Sequence, residues 1–168
     1  TGSLGRNAGS SVVPNYENFE DRYSHAKSPY FTSQKFGGKT YDLFKLHALD
    51  DGPESSTKIK ASIKNIKPSA SDVDKFGTFD LVIRRFTDID TEVVALESFS
   101  GLSLDPSSPR YIARIVGDRY TYFDFDKKES SQKLITAGNY PPKSAYVRVE
   151  MSDALKAGQV PDDALPVG

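Results

Sequence analysis

The chain has 168 residues, and its 22 basic and 23 acidic side chains leave a net charge of −1. This balance creates no overall field that would attract nucleic acid or an anionic membrane, so we expect neither as a partner. The lack of cysteine excludes disulfide and thiol chemistry and fits a reducing cytoplasm, and no apolar run approaches the ~20 residues that a membrane-spanning helix needs.

The first 35 residues are poor in aliphatic side chains and rich in Gly, Ser, Asn and Pro. Their aromatic residues follow no regular period. This composition predicts that residues 1–35 form an irregular or extended N-terminal segment. The folded domain is then expected to cover residues 36–168, within the size range of a single domain.

Alternation of apolar and polar residues predicts strands from residue 39 onward. Three strands show it: Phe44, Leu46 and Ala48 in the first, Ile59, Ala61 and Ile63 in the second, and Phe79, Leu81 and Ile83 in the third. The second strand carries lysines on its opposite face, which predicts that this face is solvated. In the third strand Val82 and Phe86 place apolar side chains on the opposite face as well, so we expect this strand to be covered on both faces.

Weaker patterns predict the remaining strands. Periodicity leaves residues 93–99 open between strand and helix, and their β-branched side chains favour a strand. Short strands are expected at residues 120–125 and 133–136. A last strand has Val147, Val149 and Met151 facing inward and Tyr146, Arg148 and Glu150 facing outward. Residues 154–157 can form one helical turn.

The segment 102–117 is the most clearly specified part of the chain. The Asp-Pro pair at 105–106 predicts a tight turn, because aspartate can bond nearby backbone amides and proline fixes φ. Ser108 as an N-cap and Pro109 at the first helical position predict a short helix that ends at Gly117. The whole pattern predicts an α+β fold of strand-rich mixed sheet layers with one or a few short helices packed on them.

Two histidines, one glycine-rich run and one lysine-rich strand are candidate chemical sites. His25 and His47 have no Gly-x-Ser-x-Gly elbow beside them, so we interpret them as surface or strand-face residues. The run Gly37-Gly-Lys-Thr40 echoes a phosphate-binding loop, but the motif's first glycine is replaced by Ser33 and a strand follows. The lysines of residues 58–67 form a solvated face, or alternatively contact an acidic neighbouring subunit.

Two acidic pairs are candidates for a metal site. Asp88 and Asp90, and likewise Asp124 and Asp126, offer the oxygen ligands that calcium prefers. Neither pair continues into a D-x-D-x-D-G loop, so we interpret both as turn residues and leave a structural calcium site open. We therefore assign no catalytic, cofactor-binding or metal-binding residue.

Three ordered blocks of the sequence resemble one protein family. The blocks are Phe76-Gly-Thr-Phe-Asp-Leu-Val-Ile-Arg84, Leu102-Ser-Leu-Asp-Pro-Ser-Ser-Pro-Arg-Tyr-Ile-Ala-Arg-Ile-Val-Gly117 and Lys143-Ser-Ala-Tyr-Val-Arg-Val-Glu150. They are similar to the motifs YGTF-x-L-x-V-R, LSLDP-x-SPNYIARxIGD and Y-x-RVE of the tail sheath proteins of contractile-tailed bacteriophages. The resemblance covers roughly residues 36–168, and it departs from the family at Arg110 and Phe76.

The resemblance implies a structural subunit of the tail sheath core domain and no enzyme or cofactor. Sheath subunits form helically stacked hexameric rings around the tail tube, between the baseplate and the tail terminator. Contraction of the sheath drives the tube through the host envelope. This implies a location in the virion tail after assembly in the host bacterial cytoplasm. Sheath proteins are much longer than 168 residues, so we expect this chain to be a fragment of a sheath protein. On its own, the fragment can be monomeric.

Two other functional classes stay open. The first is a β-rich adhesion or carbohydrate-binding module with aromatic side chains in an exposed groove. Its candidate residues are Tyr120, Tyr122 and Tyr140. The second is a small hydrolase, which would unite Asp124 or Asp126 with His47 in a deep pocket.

Overall fold

The computed structural model describes residues 25–35, 37–51, 54–69, 75–124 and 127–162. In these ranges the strands are β1 His25–Lys27, β2 Phe31–Thr32, β3 Asp42–Asp51, β4 Ile59–Lys67, β5 Thr78–Arg85, β6 Ala95–Leu102, β7 Tyr120–Phe123, β8 Leu134–Ala137 and β9 Val147–Met151. The helices are α1 Ser55–Lys58, α2 Ile112–Val116 and α3 Asp153–Lys156. This strand-rich α+β architecture confirms the predicted fold class. Within these ranges, every helix is too short to cross a membrane.

The first sheet is built around β3. Strand β9 pairs with it antiparallel along one edge, while β1 and β2 pair with it end to end along the other. Phe44, Leu46 and Val149 face the core and are almost fully buried, as the alternation predicts. Residues 25–32 of the predicted N-terminal segment thus belong to this sheet, and residues 1–24 lie outside the described part.

The second sheet is antiparallel in the order β4-β5-β6. Its central strand is buried on both faces, as predicted: Leu81 faces one side and Val82 the other, and neither is more than 8% exposed. The prediction for Phe86 is wrong, because this ring is 48% exposed. The strand ends at Arg85 and the chain turns there, so Phe86 leaves the sheet before it can be covered.

The segment that joins β6 to α2 folds differently from its prediction at one end. Helix α2 begins at Ile112 and not at Ser108. The Ile112 N–H donates to the Ser103 carbonyl at 2.9 Å, and the Ser103 N–H donates to the Arg110 carbonyl at 3.0 Å. These two bonds hold residues 110–112 beside Ser103, so helical geometry cannot start earlier. The helix ends as predicted at Gly117, whose φ is 107°.

One buried cluster joins both sheets and α2. Its fully buried large side chains are Phe79, Leu81, Ile83, Leu102, Leu104, Ile112, Val116 and Val149. Burying a side chain of this kind stabilises the fold by ~1.5–3 kcal/mol. All three sequence blocks that carry the family resemblance contribute residues to this cluster.

The third sheet is the two-stranded ribbon β7-β8. All four residues of β7 are exposed. The chain that leaves β8 passes very close to the start of β7, because a Cβ added at Gly138 would lie 2.5 Å from the Asp118 carbonyl oxygen. This close approach ties the base of the ribbon to the end of α2.

Candidate functional site

Polar side chains gather on the face of the first sheet that points away from the core. Alternation along β3 places Lys45 and His47 there, and the antiparallel register sets Glu150 beside Lys45 and Arg148 beside His47. Strand β1 brings His25 to the same face. We call these five residues the histidine cluster.

The contacts of His47 fix its protonation state. Its Nδ1 accepts a hydrogen bond from Arg148 Nη2 at 3.2 Å and lies 2.6 Å from His25 Nε2. Its Nε2 lies 2.7 Å from a Glu150 carboxylate oxygen but makes no aligned hydrogen bond. A neutral His47 ring that carries its proton on Nε2 leaves Nδ1 free to accept from both donors.

Burial keeps His47 uncharged. The residue is 5% exposed, and this desolvation, together with the positive charge of Arg148, lowers its pKa to about 4, against the opposing attraction of Glu150. Arg148 faces outward as predicted, but the Tyr120 ring covers it at 3.9 Å. His47 is therefore a buried strand-face residue, and its contacts with described residues are to His25, Arg148 and Glu150, none of which carries the hydroxyl that a catalytic triad needs.

The first acidic pair, Asp88 and Asp90, binds Arg84 and Lys60, and we call these four residues the ion-pair joint. The Asp88 carboxylate is fully buried and accepts hydrogen bonds from Arg84 at 2.8 and 2.9 Å and from the Val94 N–H at 2.8 Å. Lys60 lies 2.7 Å away, and these cations hold the pKa of Asp88 well below its ordinary value. Asp90 binds Arg84 from the solvent side at 2.8 Å. The pair thus neutralises a buried arginine, and both oxygen atoms of Asp88 are already engaged.

The second acidic pair lies at the end of β7. Asp124 pairs with Lys127 at 3.1 Å, and Asp126 lies outside the described residues. Asp124 and His47 therefore have different charged partners among the described residues, Lys127 and Glu150 respectively. The possibility of a calcium site at Asp126 stays untested.

The glycine-rich run and the lysine-rich strand have structural roles. Gly37 and Gly38 both have positive φ, 57° and 84°, and form a turn that leads into β3, as expected for a strand connection. Lys58 binds Glu54 at 2.7 Å, and Lys60 belongs to the ion-pair joint. Lys58, Lys64 and Lys67 are exposed, so the lysine face is solvated as predicted, and Lys60 alone among these four is half-buried.

A polar groove of about 570 Å³ lies beside β9. Its walls include Tyr111, Asp118, Tyr120, Asn139, Tyr140 and Lys156. We call it the β9 groove. It brings together two of the three tyrosines that the sequence grouped. The third, Tyr122, stacks on Tyr120 with ring centroids 5.6 Å apart and does not line the groove.

The structural roles of two charged residues, Arg84 and Glu97, were not predicted from the sequence. Arg84 had a usable signal, since it is a cation inside a doubly covered strand with an aspartate four residues later. Glu97 had none, because its partners lie far along the chain. It accepts hydrogen bonds from the Ser144 hydroxyl at 2.5 Å and the Ala145 N–H at 2.8 Å, and so fixes the loop before β9.

Comparison of the chain with protein-family models, curated proteins and solved structures gives no match. The resemblance to tail sheath proteins therefore rests on the three sequence blocks alone.

Proposed function

We propose that the chain is a structural subunit of the contractile tail sheath of a bacteriophage. Its copies polymerise around the tail tube and exchange contacts as the sheath contracts and drives the tube through the host envelope. The observation that carries the proposal is that the three blocks of resemblance meet in one core. Phe79 comes from the first block, Ile112 from the second and Val149 from the third, and each is under 3% exposed.

Backbone hydrogen bonds support the proposal by tying the second block to the third. The Gly117 carbonyl accepts from the Val149 N–H at 2.9 Å, and the Val116 carbonyl accepts from the Lys143 N–H at 2.9 Å. A contracting lattice needs subunits that move as rigid bodies. A close-packed core with such ties transmits strain instead of absorbing it.

Exposed apolar side chains support a role in assembly. Leu134 on the ribbon is 68% exposed, and Ile89 in the connection between β5 and β6 is 60% exposed. Leu134 lies opposite Phe123, which is 38% exposed, so the two form an exposed apolar pair on the ribbon. Contiguous exposed apolar surface marks contact sites. Because Leu134 and Ile89 lie on different parts of the chain surface, contacts between them on neighbouring copies would be head-to-tail, and such contacts generate rings or helical polymers.

The remaining parts of the proposal follow from the same role. The partners are other sheath subunits in stacked hexameric rings, the tail tube protein, the baseplate and the tail terminator. The location is the virion tail, after assembly in the host cytoplasm. Carbohydrate binding is the second candidate function, and the specific observation that favours it is that Tyr120 and Tyr140 line one groove.

Sedimentation of the full-length sheath subunit tests the proposal. We expect the unaltered protein to form polymers that pellet, and Leu134→Ser to reduce the pelleted fraction by removing an exposed apolar contact. Leu49→Ser is the matched control, since Leu49 is exposed on β3. Circular dichroism checks that both variants fold. A full-length protein that stays monomeric at all concentrations would contradict the proposal.

A further inference from the structure

The register of β9 leaves two backbone groups free along the β9 groove. The Ser152 N–H donates to the Leu43 carbonyl, so even-numbered residues of β9 bond to β3 and odd-numbered residues point away from it. The Val149 N–H donates to the Gly117 carbonyl at 2.9 Å. In the described part of the chain, the Val149 carbonyl and the Met151 N–H have no hydrogen-bond partner.

Hydrogen bonds from neighbouring backbone groups position polar side chains that line the β9 groove. One Asp118 oxygen accepts from the Asn139 N–H at 2.9 Å and from the Tyr140 N–H at 2.7 Å. The side-chain amide of Asn139 has no partner among the described residues. Burial raises the pKa of Tyr111 to about 12, so its hydroxyl keeps its proton and can donate.

The groove combines balanced charge with aromatic walls. The carboxylates of Asp118 and Glu150 offset the cations of Arg148 and Lys156, which are all lining residues. A site without net charge has no preference for an ionic ligand. The aromatic walls come from Tyr111, Tyr120 and Tyr140, and Tyr111 meets Tyr140 edge-on with ring centroids 6.1 Å apart.

We propose that the β9 groove binds a neutral saccharide of one or two rings. Sugar hydroxyls both donate and accept, which matches a free carbonyl, a free N–H, an amide and phenolic hydroxyls. The C–H face of a sugar ring can pack against Tyr111 or Tyr140, whereas the Tyr120 ring is already covered by Arg148 and Tyr122. The volume of about 570 Å³ lies in the range of roughly 300–1,000 Å³ that small-molecule sites occupy. This proposal rests on the second candidate function, carbohydrate binding, for which it names the site and the size of the ligand, and it does not depend on the sheath function.

The exposed edge of β9 is too short to receive an added peptide strand. The Val147 N–H donates to the Ser144 hydroxyl at 3.1 Å, and the Val149 N–H is taken by Gly117. Helix α3 begins at Asp153, directly after the strand. One carbonyl and one N–H stay available, whereas strand addition uses a run of successive main-chain bonds. The edge therefore suits a small ligand better than an extended peptide.

Nuclear magnetic resonance of the ¹⁵N-labelled chain tests the proposal, with maltose, cellobiose, lactose and N,N′-diacetylchitobiose as probes. We expect at least one disaccharide to cause saturable shifts of the Met151 and Asn139 amides, with a Kd of about 1 mM or tighter. Asn139→Ala should weaken that binding about fivefold, the loss of one hydrogen bond. Tyr111→Phe should weaken it similarly, whereas the control Tyr146→Phe, outside the groove, should leave it unchanged.

Three results would overturn the saccharide site. The first is the absence of shifts with all four disaccharides at about 10 mM, far above the expected Kd. The second is binding that Asn139→Ala does not weaken. The third is shifts in the groove caused by a ten-residue extended peptide and by none of the sugars, which would assign the edge to protein. None of these results bears on polymerisation, so the sheath proposal stands or falls separately.

Discussion

At the scale of single residues, His47 makes the fold sensitive to acid. Its pKa is about 4 in the folded chain, against 6.5 as its ordinary value. Between these values the unfolded chain binds more protons, so the free energy of unfolding rises with pH. We expect it to fall by about 3 kcal/mol as the pH drops from above 6.5 to below 4. Urea unfolding at a series of pH values measures this change.

The His47→Gln variant is the control for that prediction. Glutamine keeps an acceptor for Arg148 but cannot take up a proton, so this part of the pH dependence should vanish while the contribution of the carboxylates stays. Identical slopes between about pH 4 and 6.5 in both proteins would mean that His47 is not held neutral by the fold.

Residue-level chemistry was only partly readable from the sequence. The acidic pair at Asp88 follows the end of β5, as predicted, but the buried ion pair of Asp88 with Arg84 was not predicted. Such pairing depends on which buried side chain a strand presents. The contact of His25 with His47 joins residues 22 positions apart through strand pairing. Composition and periodicity carry no information about such register-dependent contacts.

At the scale of elements, Gly117 is the joint between α2 and the loop before β9. Its φ is 107°, and a Cβ there would lie 2.5 Å from the Pro142 Cα. We expect Gly117→Ala to lower the free energy of unfolding by more than about 3 kcal/mol, since backbone would have to move. Urea unfolding provides the measurement.

Gly158→Ala is the matched control for the joint. Gly158 also has positive φ, 66°, but a Cβ there meets nothing within 4 Å. Its substitution should cost only the conformational strain of about 1 kcal/mol. Equal losses at Gly117 and Gly158 would show that the packing against Pro142 is not what requires glycine.

Element types were predictable where alternation was long and regular. Strands β3, β4, β5 and β9 face the core with the residues that alternation selects, because a pleated strand must present every second side chain to one side. The start of α2 was not predictable. Local capping predicted a helix that starts after Ser108. The backbone hydrogen bonds between Ser103 and residues 110–112 instead delay the helix start to Ile112.

At the scale of the whole molecule, a single core joins two sheets while a ribbon stays exposed. A two-stranded ribbon alone is marginally stable in water, so the apolar side chains of β7 and β8 gain from contact with a neighbour. The β9 groove lies at the base of this ribbon and is built from four separate parts of the chain. The sequence grouped Tyr120 with Tyr140, but their position beside Tyr111, Asp118 and Asn139 follows from the fold alone.

Electron microscopy of the intact protein tests the proposed sheath function most directly. The account predicts tubular polymers made of helically stacked six-fold rings, with this domain keeping one internal arrangement throughout. Intact protein that remains as dispersed monomers across salt and pH conditions would contradict it.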